Sequence, residues 1–126
     1  MNPLAARVLS LLLGVTIAAS AAEGVDPLSV IAFDLSRLDA AGLQGPSAGR
    51  RALDYEFCIP QGEVPQRQVA AIDPSARFQP GSRGRIGCGP AQVLVLGNTH
   101  QSGYRQILLR LAGLPYVVRI AEALFE

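Results

Sequence analysis

The segment LDYEFCIP, residues 53–60, constrains the fold most, because apolar and polar side chains alternate strictly along it. Successive side chains of a β-strand point to opposite faces, so this pattern predicts a strand with one buried and one open face. The buried face would carry Leu53, Tyr55, Phe57 and Ile59, and the open face Asp54, Glu56 and Cys58.

The elements that follow this strand alternate between strand and helix signals. EVPQRQVAAI predicts a helix, SARFQ a weaker strand that resumes in RIGC, and AQVLVLG an apolar central strand. A second helix is predicted to be capped by Thr99 or Ser102 and to end at Gly113. YVVRI predicts the last strand, and AEALFE could extend that strand or form a helical turn. This order resembles a ferredoxin-like βαββαβ sandwich, so we predict an α+β domain over residues 52–126.

Residues 22–51 are predicted to contain an amphipathic helix and a linker. Asp26 is suited to the N-cap, Pro27 to the first turn and Gly42 to the end of a helix. Its apolar stripe would consist of Leu28, Ile31, Leu35 and Leu38. A strand through SVIAFDL is the alternative. The stretch GLQGPSAGRR is typical of a linker because it is rich in Gly, Pro and Ser.

The first 21 residues have the layout of a secretory signal peptide. Arg7 supplies the positive charge, an apolar run of about 15 residues follows, and small residues ending near Ala21 provide a cleavage pattern. This run is shorter than the roughly 20 residues that a membrane-spanning helix needs. We therefore expect an exported protein, periplasmic or secreted, with no membrane span after cleavage.

The charge balance of the expected mature chain argues against several classes of partner. Removal of Arg7 leaves ten of the eleven basic residues, all arginines, against ten acidic residues. A neutral chain of this kind does not indicate a nucleic acid or an anionic membrane as its partner. We expect no cofactor, and an unknown protein or envelope component as the partner.

Cys58 and Cys88 are the only cysteines, and an exported chain meets an oxidising compartment. We therefore predict one disulfide between them. They are too far apart for a CxxC redox motif, and with His100 as the single histidine we expect no metal site.

The stretch GSRGRIGCGP, residues 81–90, permits three hypotheses: a stapled structural loop, an anion site with Arg83 and Arg85, or a reactive thiol. We favour the stapled loop, since no phosphate-binding motif accompanies the glycines. In an ideal ferredoxin-like fold we expect the end of the first strand and the start of the third at opposite ends of the sheet. The disulfide would then require residues 81–90 to fold back over the open face, carrying both arginines towards Asp54 and Glu56.

Two further groups of residues are candidates for chemistry. Asn98, Thr99 and His100 lie between a strand and a helix, where they could bind an anion or supply a general base, or form only a turn and cap. Asp54 and Glu56 share a strand face about 6.5 to 7 Å apart, a spacing that catalytic carboxylates and solvent-facing strands both show.

From these features we predict a small exported, non-enzymatic binding module that is stapled by one disulfide. It would act through the sheet face, the loop 79–90 or the N-terminal helix. An anion sensor or carrier using Arg83 and Arg85 is the alternative. A hydrolase or redox enzyme that uses His100, the two carboxylates or the cysteines is the third hypothesis.

Overall fold

The computed structural model describes residues 26–124, so the predicted signal peptide at 1–21 lies outside the described residues. The α+β class is confirmed, with three α-helices and two antiparallel sheets within that range. In chain order the elements are α1 (Pro27–Val30), a 3-10 helix (Leu35–Arg37), β1 (Leu43–Gln44), β2 (Arg51–Ala52), β3 (Asp54–Pro60), α2 (Glu63–Ile72), β4 (Arg77–Pro80), β5 (Gln92–Asn98), α3 (Tyr104–Ala112) and β6 (Ala121–Glu122).

The main sheet has the strand order β4-β5-β3-β6, and every neighbouring pair is antiparallel. β3 pairs with β5 along its whole length, from Asp54 opposite Asn98 to Pro60 opposite Gln92. The face of β3 predicted to be buried is buried in the structure. It packs in one core with residues of α2 and α3: Leu53, Tyr55, Phe57, Ile59, Val69, Leu108 and Leu111.

The predicted amphipathic helix between Asp26 and Gly42 does not form as one helix. Asp26 caps the four-residue helix α1 as expected, accepting a hydrogen bond from the Leu28 N–H at 3.0 Å. The chain is then extended at Ile31, which forms a parallel bridge with Ile120. The bridge competes with helix propagation, because Ala32 donates its N–H to the Ile120 carbonyl and cannot bond one turn back. The strand alternative through SVIAFDL does not form either, because within this segment only Ile31 makes a β-bridge.

The stretch that resembles a linker forms the hairpin of β1 and β2. Arg50 holds it by donating hydrogen bonds to Asp39 and to the Leu43 carbonyl. The Leu43 N–H and Arg50 lower the pKa of Asp39. Val30, Ile31 and Leu38 enter the same core as the main sheet, while the domain boundary at residue 52 stays a prediction.

Two predictions for the second half of the chain are wrong in detail. RIGC does not resume a strand. The last strand is Ala121–Glu122 and not YVVRI, because residues 114–117 close a turn in which Val117 donates its N–H to the Leu114 carbonyl. Neither Thr99 nor Ser102 caps α3, since Gly103 precedes it without a side-chain cap. Gly113 ends that helix as predicted.

Candidate functional site

The disulfide predicted between Cys58 and Cys88 is present, with a Cα–Cα distance of 5.5 Å. The expectation that the two cysteines start from opposite ends of the sheet is wrong. β3 and β5 are antiparallel neighbours, so the end of β3 lies beside the start of β5, and Pro60 stands opposite Gln92. Cys88, four positions before Gln92, therefore reaches Cys58 by a short return of the chain.

Residues 81–90, which we call the flap, nevertheless cover the second face of the sheet as predicted. Cys88 lies in a small apolar cluster with Leu94, Leu96 and Ala123, against which Cys58 and Ile86 pack. The N–H groups of Gly87 and Cys88 both donate to the Arg83 carbonyl, at 3.1 and 2.8 Å. The flap is thus held by a turn, a covalent bond and apolar contact.

Glu56 is the most unusual residue under the flap, because this acidic residue is only 3% exposed. Gly84 lies directly above its carboxyl group in a left-handed conformation, φ +63°. A Cβ at this position would lie 2.3 Å from Glu56 Oε1 and 2.8 Å from Leu94 Cδ1, so only glycine permits this approach. Within residues 26–124, no hydrogen bond or ion pair reaches the Glu56 carboxyl group.

A groove of about 510 Å³ opens between the flap, the sheet and the end of the described chain. Its wall includes Glu56, Gly84, Arg85, Leu94, Leu96 and Leu124. Leu124 is 54% exposed at the rim, whereas Leu94 and Leu96 are buried at the base. We call this the Glu56 groove. It combines an apolar base with a buried carboxyl group.

The two flap arginines do not line one site. Both are exposed, but Arg85 belongs to the Glu56 groove, whereas Arg83 lines a separate depression beside Gln61 and Pro90. Arg85 also has an interaction partner of its own. The predicted anion site at Arg83 and Arg85 therefore stays a prediction, and the arrangement gives it no shared groove.

The turn residues Asn98, Thr99 and His100 connect the sheet to the N-terminal segment. The buried Thr99 hydroxyl accepts from the Leu53 N–H at 2.9 Å and donates to the Gly42 carbonyl at 2.6 Å. Asn98 Oδ1 accepts from the His100 N–H, and Asn98 Nδ2 donates to Asp54. The exposed His100 ring lies 3.0 Å from the Ala41 carbonyl through Nδ1. Each predicted ligand-binding group here already has an intramolecular partner.

The sequence did not reveal a buried polar network on the helix-covered face. The Tyr55 hydroxyl donates to Asp73 Oδ2 at 2.5 Å, while Asp73 Oδ1 accepts from Ser75 and Gln101. Burial and the neighbouring Asp73 raise the pKa of Tyr55 above its ordinary value. Gly97 stands opposite Tyr55, and a Cβ there would lie 2.3 Å from the tyrosine ring. A glycine facing an aromatic residue was the one available sequence signal.

Residues 26–124 contain neither the side-chain cluster of a metal site nor the helix of a membrane span. No cluster of three His, Cys, Asp or Glu side chains within that range is arranged to hold a metal ion. No helix there is long and apolar enough to cross a membrane.

Comparison of the chain with protein-family models, with curated proteins and with solved structures finds no match. The function must therefore be argued from the geometry of the chain itself.

Proposed function

We propose that the protein is a small exported binding module, stapled by one disulfide, whose partner is another protein or an envelope component. The observation that carries this proposal is the stapled flap. Its covalent bond fixes residues 81–90 over one sheet face and holds open the Glu56 groove beside them. A rigid groove suits binding, because less conformational freedom is lost when the partner docks.

Two features support export. Residues 1–21 have the composition of a secretory signal peptide. The disulfide is the kind of bond that persists in an oxidising compartment. Both features are consistent with a periplasmic or secreted destination.

The core over residues 52–126 is proposed to be ferredoxin-like. When its four main strands are numbered 1 to 4 in chain order, they lie across the sheet in the order 2-3-1-4, and all neighbours are antiparallel. The two longer helices each connect strands of this sheet. This arrangement supports the βαββαβ assignment.

Binding is favoured over catalysis because the candidate catalytic groups already make structural contacts within the chain. The Thr99 hydroxyl and the Asn98 amide hold the N-terminal segment and the turn, and His100 contacts the Ala41 carbonyl. A nucleophile and base would have to lie within hydrogen-bond reach of each other, and none of these contacts joins such a pair. The cysteines are joined to each other.

Among the three binding surfaces that the sequence suggests, the groove beside the flap has the strongest support. Ile31 and Leu38, from the stripe of the predicted N-terminal helix, are buried in the core. The sheet face is itself covered by the flap. Leu124 remains exposed at the groove rim and provides a probe of this surface.

The test compares two matched variants of the mature, oxidised protein. Leu124→Asp places a charge at the groove rim, whereas Val64→Asp places the same charge near the start of α2 at a residue of almost equal exposure, 54% against 56%. We expect the wild type and Val64→Asp to retain the same partner from envelope extract and Leu124→Asp to lose it. Equal retention by all three would remove the groove from the interface.

Export is tested separately by expressing the full-length chain in a secreting host. We expect an intact mass that corresponds to cleavage near Ala21, two hydrogens below that of the reduced chain, and no free thiols. A retained leader would contradict export, and two free thiols would contradict the staple.

A further inference from the structure

The carboxyl group of Glu56 has an environment that a soluble domain rarely leaves uncompensated. It is almost wholly removed from solvent, and no hydrogen bond or ion pair from the described part of the chain reaches it. Burying a carboxylate without a partner is costly, and the cost falls sharply when a cation and its hydrogen bonds are supplied. The other buried carboxyl group, Asp73, shows the contrast, because it accepts hydrogen bonds from Tyr55, Ser75 and Gln101.

The charged neighbours of Glu56 do not remove this deficit. Arg85 lines the same groove, but no hydrogen bond or ion pair within residues 26–124 joins it to Glu56. Arg77 is an exposed residue of the edge strand β4, and Leu96 of β5 stands between it and Glu56 in the sheet register. Asp54, two residues earlier on the same face, accepts from Asn98 and lines a different depression. The unmet need at Glu56 is therefore for a donor that enters from the groove.

The groove has the chemistry for a basic side chain. Lysine and arginine carry an apolar stem that packs on hydrophobic surface and a charged head that donates several hydrogen bonds. Leu94 and Leu96 provide the surface for such a stem, and the Glu56 carboxyl group would accept from the head. A charge-assisted pair of this kind is stronger than a neutral hydrogen bond.

We propose that the Glu56 groove receives an arginine or lysine side chain from a partner polypeptide, with Glu56 as its acceptor. This inference rests on the proposed binding function and names the chemistry of the partner. The guanidinium of arginine is the better fit of the two, because its planar fork can bond both carboxylate oxygens.

The test titrates the isotope-labelled, oxidised mature protein with the peptide acetyl-Ala-Arg-Ala-amide and follows backbone amide shifts. The control peptide carries citrulline, which has nearly the shape of arginine without its charge. We expect saturable shifts at Gly84, Leu94 and Leu96 with the arginine peptide, and binding at least about tenfold weaker with citrulline. Shifts of equal size with both peptides would overturn the proposal, as would no saturable shift with either.

Variants locate the site. Glu56→Gln keeps the size of the side chain and should weaken the arginine peptide by at least about tenfold, whereas Asp54→Asn, the same charge change on the same strand face, should leave it unchanged. Equal binding by wild type and Glu56→Gln would overturn the assignment. If Glu56→Gln lost the amide dispersion of a folded chain, the citrulline comparison on the wild type would still decide.

Two further arms separate this inference from its alternatives. Shifts with ethanolamine and none with the arginine peptide would assign the groove to a small amine such as a lipid headgroup, and overturn the polypeptide assignment. Retention of an envelope partner by both wild type and Glu56→Gln would leave the binding module in place and reject the cation site. Specific binding of the arginine peptide without any recovered partner would support the site and count against the proposed module.

Discussion

Replacing both cysteines of the staple with alanine should lower the free energy of unfolding by about 3.6 kcal/mol. The disulfide joins residues with a sequence separation of 30. In the chain-entropy model, a loop of this length restricts the unfolded chain by about 12 cal/mol/K, which corresponds to about 3.6 kcal/mol at 25 °C. That is a large part of the roughly 5 to 15 kcal/mol that stabilises a typical domain.

Urea unfolding of the oxidised wild type, the reduced wild type and Cys58→Ala/Cys88→Ala measures this difference. With slopes of about 1 to 3 kcal/mol/M, the transition midpoint should fall by roughly 1 to 4 M. The reduced wild type should resemble the double variant, and reductant should leave the double variant unchanged. The N–H of residue 88, which donates to the Arg83 carbonyl at 2.8 Å, should exchange with solvent faster once the staple is absent.

A loss below about 1 kcal/mol would contradict the chain-entropy account of the disulfide. Such a result would mean that the unfolded chain already holds Cys58 near Cys88, or that the flap gains a relaxed and equally stable position without the bond. An unchanged exchange rate at residue 88 would point to the second explanation, because the turn of the flap would then be independent of the staple.

Four shorter predictions follow from the contacts of single residues. Gly97→Ala should cost about 3 kcal/mol in urea unfolding, because its Cβ would lie 2.3 Å from the Tyr55 ring; a loss under about 1 kcal/mol would contradict this. The raised pKa of Tyr55 means that the folded chain keeps a proton that the unfolded chain loses above pH 10, so stability is full below pH 10 and falls above it. Above pH 10, the unfolding free energy of Tyr55→Phe should therefore decrease less steeply than that of the wild type, by about 1.4 kcal/mol per pH unit. An unchanged slope would count against the buried network. Thr99→Val should cost about 2 to 4 kcal/mol in the same urea assay, since two buried backbone groups lose their partner. Because Arg83 and Arg85 line separate grooves, phosphate should change the melting temperature of the wild type and of Arg83→Ala/Arg85→Ala equally. A rise in melting temperature seen only in the wild type would support the anion alternative.

The parts of the fold that could be predicted are those in which the local pattern and the tertiary environment agree. The alternation at residues 53–59 identified strand β3 and its buried face, and the helix α2 has the expected position. The N-terminal segment failed because its three- and four-residue spacing indicates one buried side and does not specify the backbone. The bridge between Ile31 and Ile120 joins positions 89 residues apart, and no local signal contains it.

The disulfide was predicted correctly although the reasoning about the sheet was wrong. The pairing followed from two cysteines and an oxidising compartment, which need no geometry. The wrong expectation placed the end of the first strand and the start of its antiparallel neighbour at opposite ends of the sheet. The pairing of Pro60 with Gln92 shows that they meet at the same end, so the staple fits the fold without distortion of the strand order.

The candidate site could be predicted only as far as the face of the strand. Alternation places Asp54 and Glu56 on the same side of β3, and it suggests that both contact solvent. In the structure their environments differ because Gly84 brings the flap backbone against Glu56, while Asp54 lies beyond the flap and pairs with Asn98. Burial of one carboxyl group and not the other is a property of the flap, which lies 28 residues away in sequence.

The two faces of the main sheet differ in how completely their buried polar groups are paired, and this difference supports the flap-covered face as the proposed binding face. On the helix-covered face, Asp73 and Tyr55 bond to each other and Asp73 gains further donors, as expected where polar groups only support the fold. On the flap-covered face, Glu56 is buried and accepts no such hydrogen bond from residues 26–124. Local rules are broken most often where a site must bind something else. If a partner's donor enters the Glu56 groove as proposed, the flap both covers apolar surface and keeps the acceptor out of water.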